Sequence, residues 1–145
     1  MPSLSIKDID TLLNRESLSQ PKVLIIEDCE LDATIIKNVI EDYYPMTLID
    51  YTQTRAEGLQ ALRTNQYDIV ILDLNLPDTV NFNDILEFRL LCPGTPLIIA
   101  TGLCNQTAIK AAQKHNADGI ISKNDLTQNG FKGMIEDAVD NIIKL

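Results

Sequence analysis

The sequence predicts an α/β fold in which a doubly wound, five-stranded parallel sheet carries helices on both faces. From Lys22 onward, short apolar runs alternate with longer segments of helical period, which is the pattern of repeated βαβ units. The runs show little alternation of apolar and polar residues, as is typical of strands covered on both faces. Right-handed crossovers between such strands place helices on each side of the sheet.

Five apolar runs are assigned to strands. They are VLII (23–26), MTLIDY (46–51), DIVIL (68–72), PLIIA (96–100) and GII (119–121). Turn-forming pairs such as Tyr44-Pro45 and Pro77-Asp78 fall between the runs and the helical segments. One helix is therefore expected after each strand.

The helices are predicted from apolar residues that recur at helical spacing. Four of them are indicated within 33–40, 56–62, 85–91 and 108–112. The last helix has the clearest pattern, with apolar residues at intervals of three and four from Phe131 to Ile143. Five helices thus accompany the five strands.

Residues 1–21 precede this pattern and are expected to form an N-terminal extension. Ser5 is followed by Ile6, Ile9, Leu12 and Leu13, which predicts a short amphipathic helix, and 16–21 resembles a linker. Residues 22–145 are then expected to form one folded domain.

Composition excludes several classes of function. The formal net charge is −9, from 21 acidic and 12 basic residues, and the basic residues are scattered, which argues against direct nucleic-acid binding. No apolar stretch approaches the ~18 residues of a membrane span. The three cysteines have no metal-binding spacing and are expected to be free thiols in a reducing compartment. We therefore expect a cytoplasmic protein whose partners are proteins or cations.

Polar residues follow four of the predicted strands. Because the carboxyl ends of parallel strands meet at one edge of the sheet, these residues should share a crevice. Closely spaced carboxylates repel each other, and a hard divalent cation with oxygen ligands, best Mg²⁺, relieves the repulsion. The residues are Glu27 and Asp28 after the first strand, Asp73 after the third, Thr101 and Gly102 at the fourth, and Ser122 and Lys123 at the fifth.

A site with Mg²⁺, a lysine, a hydroxyl and a free carboxylate suits a phosphoryl group. The cations neutralise the phosphoryl oxygens while the carboxylate attacks phosphorus. Each residue alone also has an ordinary interpretation: an aspartate after a strand commonly forms a turn or caps a helix, and most lysines are solvated. The coincidence of all these groups at one edge favours the site.

The sequence resembles the receiver domain of two-component response regulators, a chemotaxis-regulator-like family, from Lys22 to Leu145. Four segments carry the resemblance in the family's order and at similar spacing: VLIIEDCELDA, DIVILDLNLPD, PLIIATG and ADGIISK. The resemblance implies a flavodoxin-like strand order, 2-1-3-4-5. It also implies Mg²⁺ as cofactor and a switch role rather than a metabolic enzyme.

The resemblance implies a role for each matching residue. Asp73 would accept a phosphoryl group from a phosphohistidine, and Gly102 would leave room for that group. Thr101 and Lys123 would bind the phosphoryl oxygens. The metal ligands would be Glu27, Asp28, Asp73 and the backbone carbonyl of Asn75.

The resemblance also implies partners. The phosphoryl donor would be a sensor histidine kinase or a histidine phosphotransfer protein, and the output would be a downstream protein or an attached domain outside this chain. Readout would use the face of the fourth helix, fifth strand and fifth helix, which is also the expected face of a homodimer. This output face comprises roughly Asn105 to His115, Ile120 to Ser122 and Phe131 to Leu145.

Three positions depart from the family pattern. Ile120 replaces the common switch tyrosine or phenylalanine, which places coupling through an aromatic ring in question. Asn124 replaces the proline that often follows the lysine, so a cis bond would cost about 3 kcal/mol without proline. Asn81 replaces a glycine, and asparagine tolerates a positive φ better than most residues and could also cap the third helix.

Two other functions remain open from the sequence. One is a receiver-like interaction module that is not phosphorylated, in which the changed switch positions would reflect lost chemistry. The other is a phosphohydrolase that uses an aspartyl-phosphate intermediate. Such enzymes need a second acid two residues after the nucleophile, and Asn75 stands there.

Overall fold

The computed structural model describes residues 20–102 and 104–143, with the backbone alone from residue 139 onward. The predicted amphipathic helix of the N-terminal extension lies outside the described residues. Five strands form one sheet: β1 (Lys22–Ile26), β2 (Leu48–Thr52), β3 (Ile69–Leu72), β4 (Leu97–Thr101) and β5 (Gly119–Ser122). Their order is β2-β1-β3-β4-β5 and every neighbouring pair is parallel, so the predicted fold class is confirmed.

Each strand is followed by a helix, as predicted. The helices are α1 (Glu30–Tyr43), α2 (Arg55–Thr64), α3 (Asp84–Leu91), α4 (Gln106–Lys114) and α5 (Asn129–Ile143). A short 3₁₀ turn, Lys123–Asp125, separates β5 from α5. Thr54 caps α2 and Asn105 caps α4, each accepting a backbone N–H three residues ahead through its side chain.

Two apolar cores enclose the sheet, because successive residues of a strand point to opposite faces. Val23 and Ile25 face α1 and α5, and this core includes Phe131 and Ile135 of α5. Leu24 and Ile26 face the opposite side, where the core is completed by residues of α2, α3 and α4. The three central strands are therefore covered on both faces.

The second strand differs from its prediction. Met46 and Thr47 belong to a turn in which the N–H of Thr47 donates to the carbonyl of Tyr44, so β2 begins at Leu48. It is an edge strand, and Leu48 and Tyr51 are exposed although the apolar run suggested a covered strand. An edge strand has a neighbour on one side alone, which leaves part of its surface in water.

The Lys123–Asn124 bond is not cis, since the described residues contain no cis peptide. Instead, the N–H of Asn124 donates to Ser122 Oγ at 3.2 Å and helps to form the 3₁₀ turn. Asn81 does not adopt a positive φ, since Asn116 alone among the described non-glycine residues has one. Asn81 Oδ1 accepts the N–H of Asn83, the residue just before α3. This hydrogen bond forms a side-chain turn ahead of the helix and does not cap the helix itself.

Gly58 brings α2 close to the sheet. A Cβ atom at this position would lie 2.9 Å from Cγ1 of Ile26, the last residue of β1. A larger residue would therefore push α2 away from the end of the strand that carries Glu27.

None of the helices in the described part of the chain is both long and apolar enough to cross a bilayer.

Candidate phosphoryl and metal site

The register of β1 and β3 brings three carboxylates together. Ile26 pairs with Leu72, and the N–H of Asp73 donates to the carbonyl of Ile26 at 2.9 Å. The residues that follow these strand ends are therefore neighbours. Carboxylate oxygens of Glu27, Asp28 and Asp73 lie within 4.8 Å of one another. Glu27 and Asp73 are almost fully buried, at 1% and 2% exposure, whereas Asp28 is exposed.

Lys123 reaches these carboxylates from the far side of β4. Its Nζ donates to Glu27 Oε1 at 2.8 Å and to Asp73 Oδ2 at 3.0 Å. Nζ also lies 3.2 Å from Oδ2 of Asp32, in the first turn of α1. One ammonium group thus contacts three carboxylates.

Burial and mutual repulsion govern protonation in this cluster. Burial raises the pKa of Glu27 to about 7, and the charge of Asp73 adds to the shift, although Lys123 and the N–H of Cys29 oppose it. Burial alone would lower the pKa of Lys123, but hydrogen bonds to Glu27 and Asp73 and their charges outweigh it and raise the pKa. Lys123 is therefore a fixed cation, while Glu27 keeps its proton to a higher pH than an ordinary glutamate.

The oxygen atoms of the cluster fit a hard divalent cation. Glu27 Oε2 is buried and accepts no hydrogen bond from the described residues, although Lys123 Nζ lies 2.8 Å away. Asp28 supplies a further, exposed carboxylate. Such an all-oxygen set, open to water on one side, suits Mg²⁺, which keeps several of its waters. The acidic cluster could therefore hold this metal.

The loop after β3 carries the predicted carbonyl ligand. The N–H of Asn75 donates to Asp73 Oδ1 at 3.1 Å, which folds the loop back toward the strand end. The N–H of Leu76 donates to Thr79 Oγ1 at 2.8 Å. The role of the Asn75 carbonyl as a metal ligand stays a prediction.

Thr101 and Gly102 lie beside the carboxylate cluster. Thr101 ends β4, is buried, and pairs in register with Ser122, the residue before Lys123. Gly102 is exposed, and a Cβ atom there would meet no atom within 4 Å, so there is open space at this position. Their proposed contacts with a phosphoryl group stay predictions.

Ile120, at the switch position, is partly buried. It pairs with Ile99 of β4 and lies against the core shared by α2, α3 and α4. The output face predicted from the sequence falls on α4, on β5 and on α5. Its residues 144–145 lie outside the described ranges, and its role stays a prediction.

Sequence reasoning missed two residues that shape the site, Asp32 and Asp78. Asp32 lies one turn into the helix that follows the acidic pair, and this proximity was the available signal. Asp78 Oδ1 accepts the N–H of Arg55 at 2.6 Å, and Oδ2 accepts that of Ala56 at 2.9 Å. Asp78 therefore anchors the loop after β3 to the N-terminus of α2, where a negative charge is also favoured by the helix dipole.

Asp78→Ala should lower the free energy of unfolding by about 1 kcal/mol at neutral pH, as for the loss of a helix cap. Slight burial raises the pKa of Asp78, but the two backbone N–H groups outweigh it and hold the pKa below its usual value. The folded state therefore favours the ionised carboxylate, and the contribution is lost as the pH falls through its titration.

Denaturant unfolding of the wild type and Asp78→Ala at neutral and acid pH measures this effect. The difference between them should shrink in acid. Asp78→Asn keeps an acceptor and should retain part of the stability without the same pH dependence. An unchanged difference at low pH would contradict the assignment.

The model of the response regulator receiver domain matches residues 23–132. The chain belongs to this family. The resemblance seen in the sequence is thereby confirmed, and the protein is a receiver domain of two-component signalling, a family of switches.

Two relatives of this receiver domain differ in how much of their own length the match covers. It is 25% identical over 123 residues to the glycerol metabolism activator of Pseudomonas putida, covering 84% of this chain and 53% of that protein. It is 22% identical over 102 residues to the chemotaxis protein CheY of Halobacterium salinarum, covering 70% of this chain and 83% of that protein. The chain thus spans about half the length of the activator.

A solved structure shares the fold of this receiver domain. It is the CheY-like receiver domain protein of Methanospirillum hungatei JF-1, with a TM-score of 0.70 and 21% sequence identity. The match covers 86% of this chain and 98% of that one. At this identity the likeness supports the fold alone.

Proposed function

We propose that this receiver domain accepts a phosphoryl group on Asp73 in a Mg²⁺-dependent reaction and thereby switches a protein-interaction surface. The observation that carries the proposal is the placement of Asp73, a buried carboxylate at the end of a central strand with Lys123 Nζ at 3.0 Å. Glu27 and Asp28 complete the cluster within 4.8 Å. A carboxylate beside a cation and two further carboxylates suits nucleophilic attack on a phosphoryl group.

In the proposed transfer, an oxygen of Asp73 attacks phosphorus of a phosphohistidine on a sensor kinase or histidine phosphotransfer protein. The P–O bond forms, the P–N bond breaks, and the imidazole leaves with the electron pair. When bound by Glu27, Asp28, Asp73 and the Asn75 carbonyl, Mg²⁺ supplies charge neutralisation for the phosphoryl oxygens. Lys123 exchanges Asp73 Oδ2 for a phosphoryl oxygen and stabilises the added negative charge.

The switch itself is proposed to use Thr101 and Lys123. Thr101 ends β4 and pairs with Ser122, the residue before Lys123. Contact of both residues with a phosphoryl group on Asp73 would therefore draw these strand ends inward. With the partly buried Ile120 packed against the core, coupling to α4 and α5 would pass through this aliphatic side chain rather than a swinging ring. We propose that residues 22–145 form the signalling unit and that it acts in the cytoplasm. Its α4-β5-α5 face would bind an output protein, an attached domain or a homodimer partner.

Labelling with radioactive acetyl phosphate and Mg²⁺ tests the proposal. Wild-type protein should acquire an acid-stable, base-labile label that disappears with EDTA and in Asp73→Asn. Asp42→Asn is the matched control, because it removes an exposed aspartate from α1 and should label normally. Circular dichroism checks that both variants fold.

Equal labelling of Asp73→Asn would overturn the assigned acceptor. No labelling of the wild type by acetyl phosphate, or by a phosphorylated histidine kinase, would favour the interaction module that is not phosphorylated. Continuous release of phosphate from a phosphomonoester would instead favour the phosphohydrolase.

A further inference from the structure

One of the carboxylates that contact Lys123, that of Asp32, is not a proposed metal ligand. Among the described residues, the carboxylates within 4 Å of its Nζ are those of Glu27, Asp73 and Asp32. Glu27 and Asp73 belong to the cluster that could hold a cation, whereas Asp32 stands outside it. Asp32 extends from α1, so this contact ties the lysine to a different element from the strand ends.

The three ion pairs of Lys123 should respond differently when a divalent cation occupies the site. A cation held by the cluster would draw on the carboxylates of Glu27 and Asp73, which also hold the ammonium group of Lys123. The carboxylate of Asp32 would not bind the cation and would stay available to Lys123. Asp32 Oδ2 lies 3.2 Å from Lys123 Nζ, and the side chains of Asp32 and Lys123 are 27% and 16% exposed. A lysine ammonium is a compact charge on a flexible stem, so its position follows whichever anion remains available.

We propose that Asp32 is a positioning residue that retains Lys123 when the cation is bound and that a phosphoryl group must compete with it for this lysine. Asp32 thereby opposes phosphoryl binding and supports cation binding. The inference rests on the proposed function, because it concerns the anion that Asp73 would carry.

Asp32→Asn tests the inference because it should change two affinities in opposite directions. Beryllofluoride, a phosphoryl mimic, should bind about threefold to fivefold more tightly at saturating Mg²⁺, the size expected for one partly exposed ion pair. Mg²⁺ alone should bind more weakly, because the released lysine returns to Glu27 and Asp73. Calorimetric titration measures both affinities, and Asp32→Glu should restore wild-type values.

Two further variants separate a contact with Lys123 from a general charge effect. Glu30→Gln removes one charge from the same turn of α1 and should change the beryllofluoride affinity less than Asp32→Asn. In a Lys123→Met background, Asp32→Asn should lose most of its effect, since the group it acts through is gone.

The outcomes distinguish this inference from the proposed function. The inference is wrong if the wild type binds beryllofluoride and Asp32→Asn does not increase this affinity. It is also wrong if Asp32→Asn increases the affinity equally in the Lys123→Met background. In both cases the proposed function stands. If the wild type binds no beryllofluoride with Mg²⁺, the proposed function fails and the inference fails with it.

Discussion

Lys123→Met should lower the free energy of unfolding by about 3 to 5 kcal/mol at a pH of about 8 without divalent cations. The variant leaves the buried carboxylates of Glu27 and Asp73 without their common cation. Removing one partner of a buried ion pair is costly because the remaining charge is neither solvated nor neutralised. The site is therefore held together by the same lysine that the proposed reaction requires.

The loss should depend on pH and on Mg²⁺. Glu27 already has a pKa raised to about 7, against an ordinary value of 4.5, and removal of the lysine raises it further. The folded variant then binds more protons than the unfolded chain, so its stability increases as the pH falls. Mg²⁺ should restore more stability to Lys123→Met than to the wild type, because the cation replaces the missing ammonium charge.

Urea denaturation at several pH values, with and without Mg²⁺, measures these effects. Lys110→Met is the matched control, since Lys110 is exposed on α4 and should change stability by less than about 0.5 kcal/mol. A Lys123→Met protein as stable as the wild type at every pH would show that Lys123 does not neutralise the buried carboxylates.

The sequence predicted the fold because two patterns were clear. Apolar runs identified the central strands, and intervals of three and four residues identified the helices. Parallel strands end at a common edge, so Glu27, Asp73 and Lys123 could be placed together without coordinates. The structure supports this placement at the level of atomic contacts.

Contacts that depend on tertiary geometry were not predictable in the same way. Asp32 in α1 meets Lys123 after β5, and Asp78 in the loop after β3 meets the N-terminus of α2. Neither contact leaves a periodic trace in the sequence. The limits of β2 were also misplaced, because exposed Met46 resembles a strand residue by hydropathy alone.

Arg89 presents the same kind of tertiary contact at the opposite edge of the sheet. Its guanidinium donates to the carbonyl of Asn116 at 3.0 Å and to Asp118 Oδ2 at 2.9 Å. It also donates to the carbonyls of Cys92 and Thr95, and its side chain is only 11% exposed. One side chain of α3 therefore joins the segments that lead into β4 and β5.

Arg89→Met should lower the free energy of unfolding by about 3 kcal/mol, because several acceptors lose their donors at once. Arg89→Lys should lose most of the same stability, since an ammonium group cannot reproduce the planar fork that reaches separate carbonyls. Arg63→Met is the control, because Arg63 is exposed on α2. Chemical denaturation of the three variants measures the differences.

The position of Arg89 allows the effect on stability to be separated from the effect on the proposed chemistry. Arg89 contacts residues near the amino ends of β4 and β5, whereas Asp73 and Lys123 lie at the carboxyl edge of the sheet. Under conditions where Arg89→Lys is folded, Asp73 should therefore label with acetyl phosphate as in the wild type. If Arg89→Lys is as stable as the wild type, charge rather than fork geometry is the stabilising feature, because Asp118 remains available to either cation.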